Sequence, residues 1–140
     1  MRRVIKVGTS LLRGQEGRST EQVIGDLAAS LCGLWQRGEP VVLVTSGAVG
    51  LGCHALGHTS RPSEVEALQA AAVGQGRLMT LYDQAFGRHG RCVAQVLLTR
   101  GDLASRRRYQ SACRTLEQLL AWGVTPVINE NDTLATEELR

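Results

Sequence analysis

Four times along this chain a short apolar run ends in small polar residues. The fullest case is Val41-Val42-Leu43-Val44, which turns into Thr45-Ser46-Gly47-Ala48 and then Val49-Gly50-Leu51-Gly52. Four branched apolar residues are too short a run for a helix. Strands buried on both faces of a parallel sheet read this way. Glycine lets a backbone come close to a ligand, because no Cβ stands in the way. A hydroxyl beside it adds a hydrogen-bonding group. The strand end therefore reads as a floor for an anionic group, with a helix starting just beyond. Val4-Ile5-Lys6-Val7 runs likewise into Gly8-Thr9-Ser10, and Val93-Ala94-Gln95-Val96-Leu97-Leu98 into Thr99-Arg100. Val124-Thr125-Pro126-Val127-Ile128 runs into Asn129-Glu130-Asn131-Asp132. Open α/β sheets bind ligands outside the carboxyl ends of their strands. The pattern predicts one shared site above the sheet.

The connecting segments carry helix signals. Ser19 with Gln22 makes a capping box, and Val23, Ile24, Leu27, Leu31 and Leu34 follow at helical spacing. Gly38 is placed to end that helix. A short helix is predicted over 47–56. A second capping box, Ser63 with Glu66, opens a long helix to about Arg88. Gly74 and Gly76 lie inside it, each costing roughly 1 kcal/mol against alanine. Together they predict a kink or close packing against another backbone. A further helix is expected from about Arg106 to Trp122, with strands over 3–8, 41–45, 92–98 and 124–128. The predicted order β-α-β-α-α-β-α-β gives an α/β three-layer sandwich around a mostly parallel sheet. The chain stops at Arg140, just after its most polar strand end. The expectation is one incomplete domain over 1–140, the amino-terminal part of a longer protein.

Composition narrows the function classes. Sixteen basic against 13 acidic residues give a net charge of +3. That is too mild to argue for nucleic acid or an acidic membrane. No apolar run reaches transmembrane length, and the apolar stretch after Met1-Arg2-Arg3 is too short for a signal peptide. A cytoplasmic location is expected. Cys32, Cys53, Cys92 and Cys113 form no C-x-x-C pair and read as reduced, mostly buried thiols. His54 and His58 sit near Cys53 without a supporting carboxylate, so no metal site is assigned. There is no P-loop signature. Gly47-Ala48-Val49-Gly50-Leu51-Gly52 has the wrong spacing for a dinucleotide fingerprint. Arg106-Arg107-Arg108 reads as a solvated face at an electrostatically unfavourable helix start.

Three strand ends then carry the chemistry. Lys6 is the only lysine and sits inside a predicted buried strand. An unpaired ammonium is expensive there unless it faces a phosphate, or unless the strand lies at an edge and the head snorkels to water. Thr45-Ser46-Gly47 is the anion cradle. Asn129-Glu130-Asn131-Asp132 suits an ammonium, a hydroxyl or a magnesium-bound water, or else caps the strand as a polar turn. One cationic, one neutral and one anionic group at neighbouring strand ends fit an amino acid meeting a nucleotide.

These residues resemble the amino-terminal half of the glutamate 5-kinase family, within the amino acid kinase superfamily. The blocks that carry the resemblance are Val4 to Ser10, Val42 to Val49, Ala72 to Gln75, Leu97 to Asp102 and Pro126 to Asp132. They run in family order. The resemblance implies ATP-dependent phosphorylation of the side-chain carboxylate of L-glutamate, the first step of proline synthesis. It implies that Lys6 is catalytic and contacts ATP phosphates, with Gly8 and Thr9 along the same path. Ser46, Gly47 and Ala48 would hold glutamate, and Asn129 and Asp132 would complete that pocket. ATP and Mg²⁺ are the implied cofactors. Feedback inhibition by proline and homo-oligomerisation are implied too, with the helix over 63–88 a candidate interface. The family's second acidic segment, adenine pocket and second lysine are absent, so this chain alone is expected to lack activity. The alternatives are a sibling kinase with another carboxylate substrate and a non-catalytic amino acid-binding or assembly module.

Overall fold

A computed structural model describes residues 1–12, 17–58 and 60–130. The strands are β1 (Arg3–Val7), β2 (Val41–Thr45), β3 (Val93–Leu98) and β4 (Thr125–Glu130). The helices are α1 (Thr9–Leu12), α2 (Thr20–Gln36), α3 (Ala48–Ala55), α4 (Glu64–Gly87), α5 (Arg100–Ala104) and α6 (Arg106–Ala121). The short α1 and α5 were not predicted. All strand pairs are parallel, in the order β1-β2-β4-β3. The last strand thus inserts between the second and third. Because parallel crossovers are right-handed, the connections β1→β2 and β2→β3 put α2 and α4 on one face. The return from β3 to β4 puts α6 on the other. The predicted three-layer arrangement follows from that reversal.

Side chains alternate across a strand, so each face can be read by register. Ile5, Val7, Leu43 and Val127 face α2 and α4, and pack with Ile24, Leu31, Leu78, Tyr82 and Phe86. Trp35 of α2 donates from Nε1 to Thr125 Oγ1 at 2.8 Å, tying α2 to β4 in the interior. Arg91 lies 4.6 Å over the Trp35 ring, a cation–π contact at the foot of the sheet. Both capping boxes form as read, Ser19 with Gln22 and Ser63 with Glu66. Gly38 has φ 78°, so the left-handed residue that ends α2 is the glycine.

Helices α3 and α4 meet backbone to backbone. A Cβ on Gly74 would lie 1.6 Å from the Ala48 carbonyl oxygen, and one on Gly52 would lie 1.7 Å from that of Ala70. Gly74 is therefore a close-packing glycine. Gly76 faces open space.

Two expectations need correction. Lys6 is not buried here: among the described residues β1 pairs with β2 alone, and Lys6 is exposed, as is Val4. The cysteines are all free, but only Cys32 is buried; Cys53 and Cys113 are half-buried and Cys92 is exposed. Burial pushes the Cys32 thiol up, against a smaller pull from Arg91.

Candidate functional site

The site is assembled by register. Val7 pairs with Thr45, Val44 with Ile128, and Leu97 with Asn129. Val7, Thr45, Asn129 and Leu97 therefore form one row across the carboxyl end of the sheet. Everything that leaves the sheet above this row leaves side by side.

At the β1–β2 corner two hydroxyls meet. Thr9 Oγ1 lies 2.9 Å from Ser46 Oγ. The Ser46 hydroxyl and its backbone N–H both donate to the Val7 carbonyl, at 3.3 and 3.2 Å. With that proton committed, Thr9 donates to Ser46 and keeps its own acceptor side open to further donors. Gly47 follows at φ 104°, a left-handed conformation that disfavours a side chain. A Cβ there would also press on Leu12 Cδ1 at 3.0 Å. Gly47 is the N-cap of α3 and supplies no side-chain cap. The positive end of α3 is thus presented by backbone alone. A cleft of about 430 Å³ opens here, lined in part by Thr9, Leu12, Gly47, Leu51 and His54. Ala48, the first residue of α3, is buried with its carbonyl against Gly74.

The second corner lies one strand over. Asn129 is a strand residue, because pairing with β3 carries β4 two residues beyond the predicted end. The residue is 6% exposed. Asn129 Nδ2 donates to Gln75 Oε1 at 2.8 Å, and Gln75 Nε2 donates to Gln95 Oε1 at 3.1 Å. A second support from α4 lies between the corners. The Tyr82 hydroxyl is 2.7 Å from Thr45 Oγ1, which donates on to the Ser46 carbonyl at 3.1 Å. Burial raises the Tyr82 hydroxyl above the ordinary tyrosine range, and the Thr45 bond opposes this. Neither Gln75 nor Tyr82 was singled out for a role in the sequence. A signal existed: Ala71, Gln75, Leu78 and Tyr82 repeat at helical spacing, so one amide and one phenol sit on an otherwise apolar stripe.

The structure thus brings Thr9, Ser46, Gly47 and Ala48 together and sets Asn129 beside them. Gly8 joins β1 to α1 at the same corner, with open space where a Cβ would be. Lys6 stands apart, on the sheet face opposite Ile5 and Val7. Asp132 lies outside the described residues. His54 is exposed on α3, and His58 falls beyond the end of that helix, so the two share no helix face. Among the described residues no three His, Cys, Asp or Glu side chains gather as a metal site. Asp102 instead caps α5. Hydrogen bonds from the Thr99 backbone and hydroxyl, at 2.8 and 2.9 Å, hold its carboxyl below the usual range.

An all-parallel sheet with α2 and α4 across one face and hydroxyls, a glycine and an amide gathered at its carboxyl edge defines the chain as an α/β protein with a candidate strand-end site. The chain belongs to the amino acid kinase family, whose model matches residues 1–140. It is 62% identical to the glutamate 5-kinase of Prochlorococcus marinus (strain MIT 9313), over 98% of this chain and 38% of that relative. It is 63% identical to the glutamate 5-kinase of Synechococcus sp. (strain CC9605), with the same coverage. The chain therefore spans 38% of the length of these curated relatives. The crystal structure of the aspartate kinase from Synechocystis shares the fold, with a TM-score of 0.54 over 89% of this chain and 21% of that one, at 16% identity. No helix among the described residues is long and apolar enough to cross a membrane.

Proposed function

We propose that this chain is the amino-acid-binding part of an ATP-dependent kinase that phosphorylates the side-chain carboxylate of L-glutamate. The observation that carries the proposal is the corner where Thr9 and Ser46 meet beside the uncapped start of α3. Hydroxyls, glycine backbone and a helix amino terminus suit a carboxylate. Asn129, one strand over, adds an amide. Ser46, with the backbone of Gly47 and Ala48, then holds the glutamate carboxylates, while Asn129 and Asp132 take the ammonium end. In the reaction a carboxylate oxygen attacks the γ-phosphorus, the bond to the bridging oxygen breaks, and ADP leaves. Such transfers depend on positioning and charge neutralisation rather than on a protein nucleophile. The exposed Lys6 ammonium is proposed to neutralise phosphate charge, with Gly8 and Thr9 beside its path. Mg²⁺ is proposed to arrive on ATP and to share that neutralisation. We extend the reading to a cytoplasmic homo-oligomer, inhibited by proline, that serves proline synthesis.

The test is a substrate panel on the full-length enzyme, with glutamate, aspartate and acetylglutamate as acceptors. Glutamate-dependent ADP formation, largely removed by Lys6→Ala, is the expected result. Preference for another acceptor would overturn the substrate. Near-normal turnover in Lys6→Ala would overturn the role of that lysine. Calorimetric titration of glutamate into the 140-residue chain asks whether these strand ends bind it unaided.

A further inference from the structure

The peptide between Ser46 and Gly47 is held by side chains beneath it. Glycine tolerates both signs of φ, so a peptide plane that precedes it can flip at little steric cost. A flip exchanges the two ends of the plane, because N–H and C=O point in opposite directions across a trans peptide. Thr45 Oγ1 donates to the Ser46 carbonyl at 3.1 Å, and the Tyr82 hydroxyl lies 2.7 Å from Thr45 Oγ1. A carbonyl only accepts, and a threonine hydroxyl has one proton to give. With that proton on Ser46, the Tyr82 hydroxyl is the donor to Thr45. Reversing the Tyr82–Thr45 bond would strip the Ser46 carbonyl of this donor. Among the described residues it would also leave the Tyr82 proton without an acceptor. Thr45 is 4% exposed and Tyr82 0%, so water does not stand in. On the preceding peptide plane, the Ser46 N–H is held by the Val7 carbonyl. The Gly47 N–H donates to nothing among the described residues, and Gly47 lines the cleft beside Thr9.

We infer that Tyr82 is a positioning residue, acting through Thr45 to hold the Ser46–Gly47 peptide so that its N–H is turned away from Thr45 and offered to a carboxylate of the amino acid substrate. This inference rests on the proposed function, because it takes the backbone at Gly47 to hold that carboxylate. A flipped peptide would remove the donor and set a carbonyl oxygen against the anion. It would also strand the buried Thr45 proton, which is what opposes the flip. Tyr82 is fully buried and touches no ligand itself. Its hydroxyl fixes the rotor of Thr45, and Thr45 fixes the peptide. The chain of bonds ends on the amino acid side of the site and leaves Lys6 and Gly8 untouched.

Variants of the full-length enzyme test it, with KM read separately for ATP and for whichever amino acid the wild type phosphorylates. Thr45→Val keeps the shape and removes the hydroxyl. It should raise the amino acid KM about tenfold and move the ATP KM less than about twofold. Thr45→Ser keeps the hydroxyl and should stay within about twofold of wild type on both. Tyr82→Phe leaves Thr45 able to donate but no longer held, for a rise of roughly threefold in the amino acid KM alone. Because Tyr82 acts through Thr45, adding Tyr82→Phe to Thr45→Val should raise that KM no further. A folded Tyr82→Phe enzyme with an unchanged amino acid KM would overturn the inference. So would equal effects on both substrates, multiplying effects in the double variant, or Thr45→Ser as impaired as Thr45→Val. If Thr45→Val does not fold, Tyr82→Phe and Thr45→Ser decide. A wild type that prefers aspartate would sink the glutamate reading but leave this test intact.

Discussion

On one face of the sheet, Leu43, Val127 and Val7 are sealed beneath α2 and α4, with Leu78, Tyr82 and Phe86 at 0% exposure. On the other face, Val4 is 68% exposed, Lys6 reaches water, and α6 buries none of its own residues. Both faces belong to the same four strands, so strand propensity does not separate them. What separates them is the chain path. Two right-handed crossovers lay helices on the first face, and only one returns over the second. The closed face also carries the supports of the candidate site. Tyr82 holds Thr45, Gln75 holds Asn129, and the Gly52–Gly74 contact sets α3 against α4. The folding core and the supports of the candidate site are thus one structure, whereas Lys6 stands on the less covered side.

The comparison breaks most easily at the helix contact. Gly74→Ala should destabilise by about 3 kcal/mol, since the new carbon would overlap the Ala48 carbonyl and no side chain is there to yield. Gly76→Ala, two residues away and facing open space, should stabilise by up to roughly 1 kcal/mol through helix propensity. Urea unfolding of the pair measures both signs. Equal effects would mean that the backbone contact is not what holds α3. Somewhat smaller is the contrast between faces. Leu78→Ala should cost about 3 kcal/mol, and Leu116→Ala on α6 below about 1 kcal/mol, because only the first empties a closed cavity. Comparable losses would show the α6 face to be as tightly packed as its opposite.

The same division marks what the sequence made legible. Local signals were read well. Ser19-Thr20-Glu21-Gln22 and Ser63-Glu64-Val65-Glu66 announce their helices because a cap is complete within four residues. Thr99-Arg100-Gly101-Asp102 carries similar spacing but opens only five helical residues, so no apolar periodicity backs it. Non-local facts were not legible. Whether Val4-Ile5-Lys6-Val7 lies at the centre or the edge depends on where β4 inserts, and nothing within those four residues specifies it. Asn129 read as lying just past the strand, at a candidate site, because the run of apolar residues stops at Ile128. It is a strand residue because Leu97 and Leu98 of β3 extend the ladder past it. The family blocks point to Ser46 and Asn129. They do not reveal Gln75 or Tyr82 as supports, because that role exists only once α4 lies across β2 and β4.

Tyr82 tests whether the closed face tunes the site or merely encloses it. Tyr82→Phe keeps the packing and removes the hydroxyl from Thr45, for an expected loss of roughly 1 kcal/mol. The wild type should also carry an alkaline signature. Burial holds this hydroxyl above the ordinary tyrosine range, so its stabilising contribution is complete below that range and is lost as pH rises through it. Urea midpoints followed into alkaline pH should fall less steeply in Tyr82→Phe. An identical slope would place the alkaline limit elsewhere.

The smallest effect expected lies at the start of α4, where the helix that closes the core begins in solvent. Ser63→Ala should cost about 1 kcal/mol, the usual worth of an N-cap. It should also alter the acid limb. Bonds from the Ser63 backbone and then its hydroxyl hold the Glu66 carboxyl below the ordinary range. The stabilisation is therefore present above the ordinary glutamate value and fades as pH falls through the lowered one. Because the backbone N–H survives in Ser63→Ala, the larger of the two causes remains, and the acid dependence should flatten only in part. Complete loss of the dependence would mean that the hydroxyl, rather than the backbone, organises the cap. No change at all would mean that Glu66 and Ser63 act independently, and that α4 is held in place by the closed face alone.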